Sequence, residues 1–396
     1  METTAAFTGL RCTDCDGLFD AGDAPGRCPD CDGILDPAYD YDALDLTRET
    51  LSGDGPGLWR YESLMPFPAS VAVSLDEGNT PLVEAPTLAD ELGVGEVYIK
   101  DEGRNPTGTF KDRGQAMAMT AAAQHGAETV ALATAGNAGQ AASAYAANAD
   151  IDSEVFVPTR ASFVNKAMIN VHGGEMTVVE GRIGDAGAAY DDAIAENEAW
   201  HSVKTFVTPY RHEGKKTMLY ETVEQLDWAV PDHVVYPTGG GVGLVGMHKA
   251  ARELRTLGLT DELPAMWAAQ SEGCAPVVDA FESGADEHEP WDQPDTICGG
   301  IEIPDPGASP LILDALAESG GGAVATADDE ILEAALTVAQ KAGIEMGVTC
   351  SAATSGAQQL AREGQFGEDD TVVLLNTGAG SKDADVVRSH LMSKGI

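Results

Sequence analysis

The sequence predicts an α/β protein whose parallel sheets are flanked by helices, and three observations carry that prediction. Short apolar runs rich in β-branched residues alternate with Ala-rich amphipathic runs from about residue 95 onward, the signature of βαβ units. Hydrophobic residues make up 43% of the 396, enough to bury a large core, so a disordered chain is excluded. Glycines gather at 239–243, between a strand-like and a helix-like run, where sheets of this class hold ligands.

The elements follow in order. EVYIK (96–100) precedes the helical run RGQAMAMTAAAQH, TVALATA (129–135) precedes AGQAASAYAANA, and EVFVP (154–158) precedes SFVNKAMINVH. HVVYPTG (233–239) leads into GLVGMHKAARELRTLG, AMWAAQS (265–271) follows, AVATA (323–327) leads into DDEILEAALTVAQKAG, and TVVLLNTG (371–378) is the last strand. The acidic, Pro-containing stretch at 283–295 reads as an exposed loop. No internal repeat is evident.

Charge narrows the partners. Lys and Arg total 23 against 65 Asp and Glu, a formal net charge of −42. Such a surface repels polyphosphates, so nucleic acid and anionic membranes are not expected partners. No stretch approaches about 18 uncharged apolar residues, and METTAAFTGLRCTDC has neither a basic nor an apolar leader region. The expected location is cytoplasmic. Excess acid over Lys suits solubility in concentrated salt, where screening makes like-charge repulsion tolerable. A salt-loving host is therefore expected; unfolding on dialysis into low salt would support it, and full stability without salt would overturn it.

Cys12, Cys15, Cys28 and Cys31 form C-x2-C-x12-C-x2-C. Four thiolates in two knuckles suit tetrahedral Zn(II), with Zn–S distances of about 2.3 Å. Two disulfides or four free thiols are the alternatives, and disulfides are disfavoured in a cytosolic protein. Such a site is closed, hence structural, and the neighbouring Asp14, Asp16, Asp20, Asp23, Asp30 and Asp32 argue against nucleic-acid use. Cys274, Cys298 and Cys350 read as small buried hydrophobes. Residues 1–45 form the ribbon-like segment, and 46–396 the catalytic domain.

The chemistry concentrates in KDEGRNPTGTFKDRG (100–114). Lys111 follows a loop of Asn, Pro, Thr and Gly at the start of a helical run, where desolvation prepares an amine nucleophile; a solvated surface lysine is the bland alternative. Gly239, Gly240, Gly241, Val242 and Gly243 lie where backbone N–H groups converge on a phosphate at a helix start. The spacing does not meet the requirements of a dinucleotide loop. Asn137 sits in a turn closing a strand, as ligand or as simple helix cap.

These motifs together resemble the fold type II pyridoxal-phosphate enzymes, and among them the threonine synthases, whose lysine motif reads close to KDEGxNPTGSFKDRG. GNTPL (78–82), TAGNAGQAASAYAA (134–147), YRHEGKKTMLYE (210–221), PTGGGVGLVG (237–246), QSEGCAP (270–276) and NTGAGSKD (376–383) are similar to further family motifs in collinear order, over roughly residues 75–385. The resemblance implies a two-lobed catalytic domain, with a smaller lobe around 112–205, and a homodimer. It implies pyridoxal 5'-phosphate on Lys111, with Phe110 against its ring, Asn137 at its 3′-oxygen, the glycine loop at its phosphate and Thr377 at its pyridine nitrogen. It implies an amino-acid phosphate substrate, O-phosphohomoserine, met by Thr134 and by Arg211, whose planar fork suits phosphate; a surface ion pair is the alternative for Arg211. Ala135, Ala138, Thr208 and Ser381 depart from the family pattern. A cysteate synthase or a serine/threonine dehydratase-like lyase is the alternative activity. A non-catalytic sensor is disfavoured because Lys111, Asn137, the glycine loop and Thr377 are all retained.

Overall fold

Runs of consecutive apolar residues form strands here because both faces of their sheets are covered. Val372, Val373, Leu374 and Leu375 are each 0% exposed, which only a sheet flanked by helices on both sides permits. A computed structural model describes residues 1–23 and 26–393. The chain divides into two compact units, the first comprising Met1–Asn79, Asn105–Thr107 and Lys111–Thr217, the second Thr80–Arg104, Gly108–Phe110 and the chain from Met218 onward.

The first unit holds a four-stranded parallel sheet in the order Glu175–Val179, Asp152–Pro158, Thr129–Ala133 and Trp200–Ser202. Ala131, Phe156 and Tyr190 form its buried cluster, with Ala133, Val179, Ile194 and Trp200 against them. The two central strands were legible in the sequence; the two edge strands were not. Glu175–Val179 is largely exposed along its length, so it lacks the apolar run of a central strand. An antiparallel sheet of Leu18–Phe19, Phe7–Cys12 and Leu35–Tyr39 also belongs to this unit.

The second unit is built on a six-stranded sheet, ordered Gly322–Thr326, Ala265–Ser271, His233–Pro237, Thr371–Asn376, Glu96–Asp101 and Leu82–Glu84. All neighbours are parallel except the last pair. The expected strands therefore appear within a residue or two of their sequence positions. Beyond Ser283, which ends the helix Pro276–Ser283, the stretch to 295 is a loop as expected, pinned where buried His288 meets Ser309 Oγ through Nδ1 at 2.7 Å and where Trp291 N–H and Asp295 N–H donate to Pro304 O and Gly273 O at 2.9 Å each. Among the described residues, no helix is long and apolar enough to cross a membrane.

Candidate active site

Lys111 begins the helix Lys111–Gln124. The loop before it is tied down locally, because the Asp112 carboxylate accepts from Thr107 N–H at 2.8 Å and from Thr107 Oγ1 at 2.7 Å. An acid in the first turn also complements the positive end of the helix. In the second unit, Phe110 N–H donates to Thr377 O at 3.0 Å and Ala379 N–H donates to Gly108 O at 2.9 Å. The residue preceding the lysine is thus stitched to the carboxyl end of the strand Thr371–Asn376.

A second short helix, Arg211–Lys215, lies against the lysine helix at backbone distance. A Cβ on Gly214 would come 2.1 Å from Arg113 O, and one on Gly114 would come 2.8 Å from Arg211 O. Only glycine permits this approach, and it places the first residues of both helices, Lys111 and Arg211, on one rigid support.

Arg211 is 1% exposed. Its Nη1 donates to Val203 O at 2.9 Å, while Nε and Nη2 have no partner among the described residues. Burial alone pulls its pKa down to about 10. The bland alternative, a surface ion pair, does not describe this side chain. A buried guanidinium with two unsatisfied nitrogens is costly, and a bound anion is the chemistry that removes the cost. Thr208 Oγ1 and the Tyr210 hydroxyl, both within three residues, are likewise buried without a partner. Sequence reasoning missed these two hydroxyls, since nothing in a sequence says which hydroxyl finds a mate. Lys215 and Lys216 are fully buried, and Lys216 is held by Glu213.

Asn137 opens the helix Asn137–Ala149, but Gly136 is the cap residue and no side chain caps it. Asn137 Oδ1 is buried and unpaired, so the simple cap role is not what it performs here. Thr134 Oγ1 accepts from Gly136 N–H at 3.0 Å, which shapes the turn that presents Asn137.

In the second unit, Gly241 (φ 69°) precedes the helix Val242–Thr256. A Cβ there would lie 2.2 Å from Ile312 Cδ1, whereas one on Gly240 would meet nothing within 4 Å. Packing therefore demands Gly241, and beside Gly240 the loop is open to a ligand. The first turn of a 15-residue helix offers unpaired N–H groups and a positive dipole end, a fit for a phosphate. Thr377 is 7% exposed and its hydroxyl donates to Cys350 Sγ at 3.2 Å. Burial first, tempered by that bond, leaves the Cys350 thiol raised to about 12. Phe110 is 8% exposed, its ring set edge-on to Tyr236 at 6.1 Å.

The four cysteine sulfurs lie within 4.8 Å of one another. Cys12 Sγ and Cys31 Sγ are 3.5 Å apart, and Cys15 Sγ and Cys28 Sγ 3.7 Å. Disulfides need about 2.05 Å, whereas the edge of a tetrahedron with ~2.3 Å metal–sulfur bonds is about 3.8 Å. The expectation of no internal repeat fails here. RCTDCDG (11–17) and RCPDCDG (27–33) are two copies of one knuckle. Asp16 and Asp32 share left-handed backbone at φ 59° and 61°, and Cys12 N–H and Cys28 N–H close the loops on Gly17 O and Gly33 O at 2.8 and 2.9 Å. Arg11 and Arg27 each donate to the carbonyl of the Asp five residues on. Copies of seven residues were too short to stand out among acidic and glycine-rich neighbours.

Parallel sheets flanked by helices, with a lysine opening a helix in the first unit and a glycine loop at a helix start in the second, are features of the fold type II pyridoxal-phosphate-dependent enzymes. Residues 73–378 match the family described as pyridoxal-phosphate dependent enzyme. A fungal L-serine ammonia-lyase from Rhizomucor miehei superposes with a TM-score of 0.68 over 78% of this chain and 97% of that one, at 21% identity. Threonine deaminase isoform 2 from Solanum lycopersicum gives 0.66 over 78% and 82%, also at 21%; likeness at this identity shows the fold. The threonine synthase of Methanosarcina acetivorans is 36% identical over 377 residues, 95% of this chain and 88% of that protein. That of Methanocaldococcus jannaschii is 36% identical over 351 residues, 88% and 86% respectively. The chain belongs to the pyridoxal-phosphate-dependent enzymes and, within them, to the threonine synthases.

Proposed function

We propose that this chain converts O-phospho-L-homoserine and water into L-threonine and phosphate, and that Arg211 receives the substrate's phosphate. The observation that carries the reading is the buried guanidinium on the same helix support as Lys111, with Nε and Nη2 unpartnered among the described residues. A dehydratase acting on serine or threonine has no phosphate to place there.

The residues fit pyridoxal 5'-phosphate, which when bound supplies an electron sink for carbanions next to the substrate's amine-bearing carbon. Lys111 would hold it and, with its amine free in the presence of substrate, would take protons from Cα and Cβ and return one to Cγ, which becomes the methyl group, and one to Cα. The N–H groups of Gly239, Gly240, Gly241, Val242 and Gly243 take the cofactor phosphate, and the Asn137 amide takes the 3′-oxygen. Thr377 offers the pyridine nitrogen a neutral hydroxyl, which supports less ring charge than a carboxylate would; Phe110 borders the ring. Arg211 holds the substrate phosphate until it leaves Cγ, water adds at Cβ, and Thr134 lies on the substrate side of the Asn137 turn.

Equimolar phosphate and threonine formed from O-phosphohomoserine in concentrated potassium chloride, with serine and threonine left untouched, is the expected outcome. Cofactor-loaded protein that releases no phosphate overturns the substrate and, with it, the role of Arg211. The four-cysteine cluster we assign to structural zinc on its sulfur spacing; one equivalent of zinc released on thiol modification supports this, and metal-free protein of full stability overturns it.

A further inference from the structure

We propose that the cysteine ribbon is a positioning device for the substrate-phosphate site, with Arg27, Asp36 and Tyr39 setting the place of Arg211. This rests on the reading of Arg211 as the phosphate ligand. The helix Arg211–Lys215 has five residues, too few to hold its own shape in water. Its support must come from neighbours. One side is the lysine helix, against which Gly214 packs; other ties come from the ribbon.

Three contacts make that link within the first unit. His212, 2% exposed, meets Asp36 Oδ1 through Nε2 at 2.8 Å, and its ring stacks on Phe206 with centroids 5.7 Å apart. Tyr39 OH donates to Glu213 Oε1 at 2.5 Å, and its ring lies 4.4 Å beneath the ammonium of Lys216, which pairs with the same carboxylate. Arg27 donates through Nε to Asp32 O at 2.7 Å inside the second knuckle, and through Nη1 to Phe206 O at 3.2 Å. The segment carrying Arg211 is thus held just before it, at Phe206, and just after it, at His212 and Glu213. Among the described residues, the Arg211 guanidinium has one hydrogen bond, to Val203 O, so these flanking ties set where the guanidinium sits.

The ribbon can transmit this because its register is fixed by the knuckles. Cys12 pairs with Leu35 and Arg11 with Asp36 across the strands Phe7–Cys12 and Leu35–Tyr39, and Thr13 N–H donates to Ile34 O at 2.9 Å. The donor atoms of Asp36, His212 and Glu213 come within 4.8 Å of one another. Lys216 already neutralises Glu213, so the cluster is a clasp and not a second metal site.

The test measures, on holoenzyme, KM and kcat for O-phosphohomoserine together with the calorimetric Kd of inorganic phosphate. Tyr39→Phe and Asp36→Ala are expected to raise KM and the phosphate Kd about tenfold each, with kcat and the cofactor's visible absorbance unchanged. Asp36→Asn, which keeps an acceptor for the imidazole, is expected to restore most of the affinity. In an Arg211→Met background, Tyr39→Phe is expected to have no further effect on KM, which a general loss of folding would not reproduce. If Arg211→Met raises KM and phosphate Kd while Tyr39→Phe and Asp36→Ala do not, the positioning role is wrong and the phosphate site stands. If Arg211→Met itself leaves both constants unchanged, the phosphate reading fails. A fall in kcat and melting temperature with unchanged phosphate Kd makes the ribbon contacts structural only and overturns the proposal.

Discussion

Two buried cations, one in each unit, are treated in opposite ways. Lys100, 0% exposed on the strand Glu96–Asp101, gives its ammonium to Glu221 at 2.8 Å, Thr80 O at 2.8 Å and Gln225 Oε1 at 2.9 Å. Its three donors are all used. Arg211 is buried as deeply, yet two of its nitrogens have no mate among the described residues. A paired buried ion costs little net and belongs to the scaffold, whereas an unpaired one destabilises the fold and is kept for what it binds. Burial by itself therefore says nothing about function; the partner count does.

The largest effect sharpens the contrast with a third cation. Lys111→Ala is expected to cut turnover by about 10⁴-fold or more and to abolish the cofactor's visible absorbance, with little change in melting temperature; retained turnover would remove Lys111 from the chemistry. Next, Glu221→Ala strands Lys100 and is expected to cost roughly 3–5 kcal/mol of stability, read as a large drop in the denaturation midpoint. A cost below about 1 kcal/mol would mean that Lys100 is hydrated, and the comparison would break.

Arg211→Met should do the reverse. Stability is expected to hold or rise, while kcat/KM for the phosphorylated substrate falls by roughly 100-fold, about 2.7 kcal/mol of lost binding. Loss of stability with intact kinetics would put Arg211 in the scaffold beside Lys100. The smallest effect concerns a third treatment of a buried titratable group, which is to keep it neutral. His201 and His125 lie with ring centroids 5.3 Å apart and planes tilted by 34°, and burial, followed by the charge of His125, holds His201 at about 4 instead of the usual 6.5. The unfolded chain takes up a proton near 6.5 that the folded chain refuses, so stability is lost as pH falls from about 6.5 toward 4 and is level above that window. His201→Gln is expected to flatten that acid limb by about 1–2 kcal/mol in pH-dependent denaturation; an unchanged slope would mean the pair opens to solvent.

Much of this was legible beforehand, and the reasons differ by element. The central strands announced themselves because coverage on both faces demands unbroken apolar runs, as in Val372–Leu375. Glu175–Val179 and Trp200–Ser202 did not, because an edge strand needs no such run. Lys111, Arg211 and the glycine loop stood out as candidates because they are chemically distinctive residues in a spaced pattern. Thr208 and Tyr210 carry common hydroxyls, and only their burial without partners marks them. Cys350 read as a small hydrophobe and is one by burial, but its sulfur also receives the Thr377 hydroxyl.

Composition and local pattern by themselves determined the alternation of strand and helix and the two cysteine knuckles, and they singled out Lys111 as the candidate nucleophile, because each depends on residues close together in the chain. Which buried charge has a mate was decided by tertiary structure. Lys100 finds Glu221 across 121 residues and Tyr39 reaches Glu213 across 174, while Nε and Nη2 of Arg211 meet no acid among the described residues. Desolvation and pairing are properties of a position in space, and no spacing along the sequence encodes them.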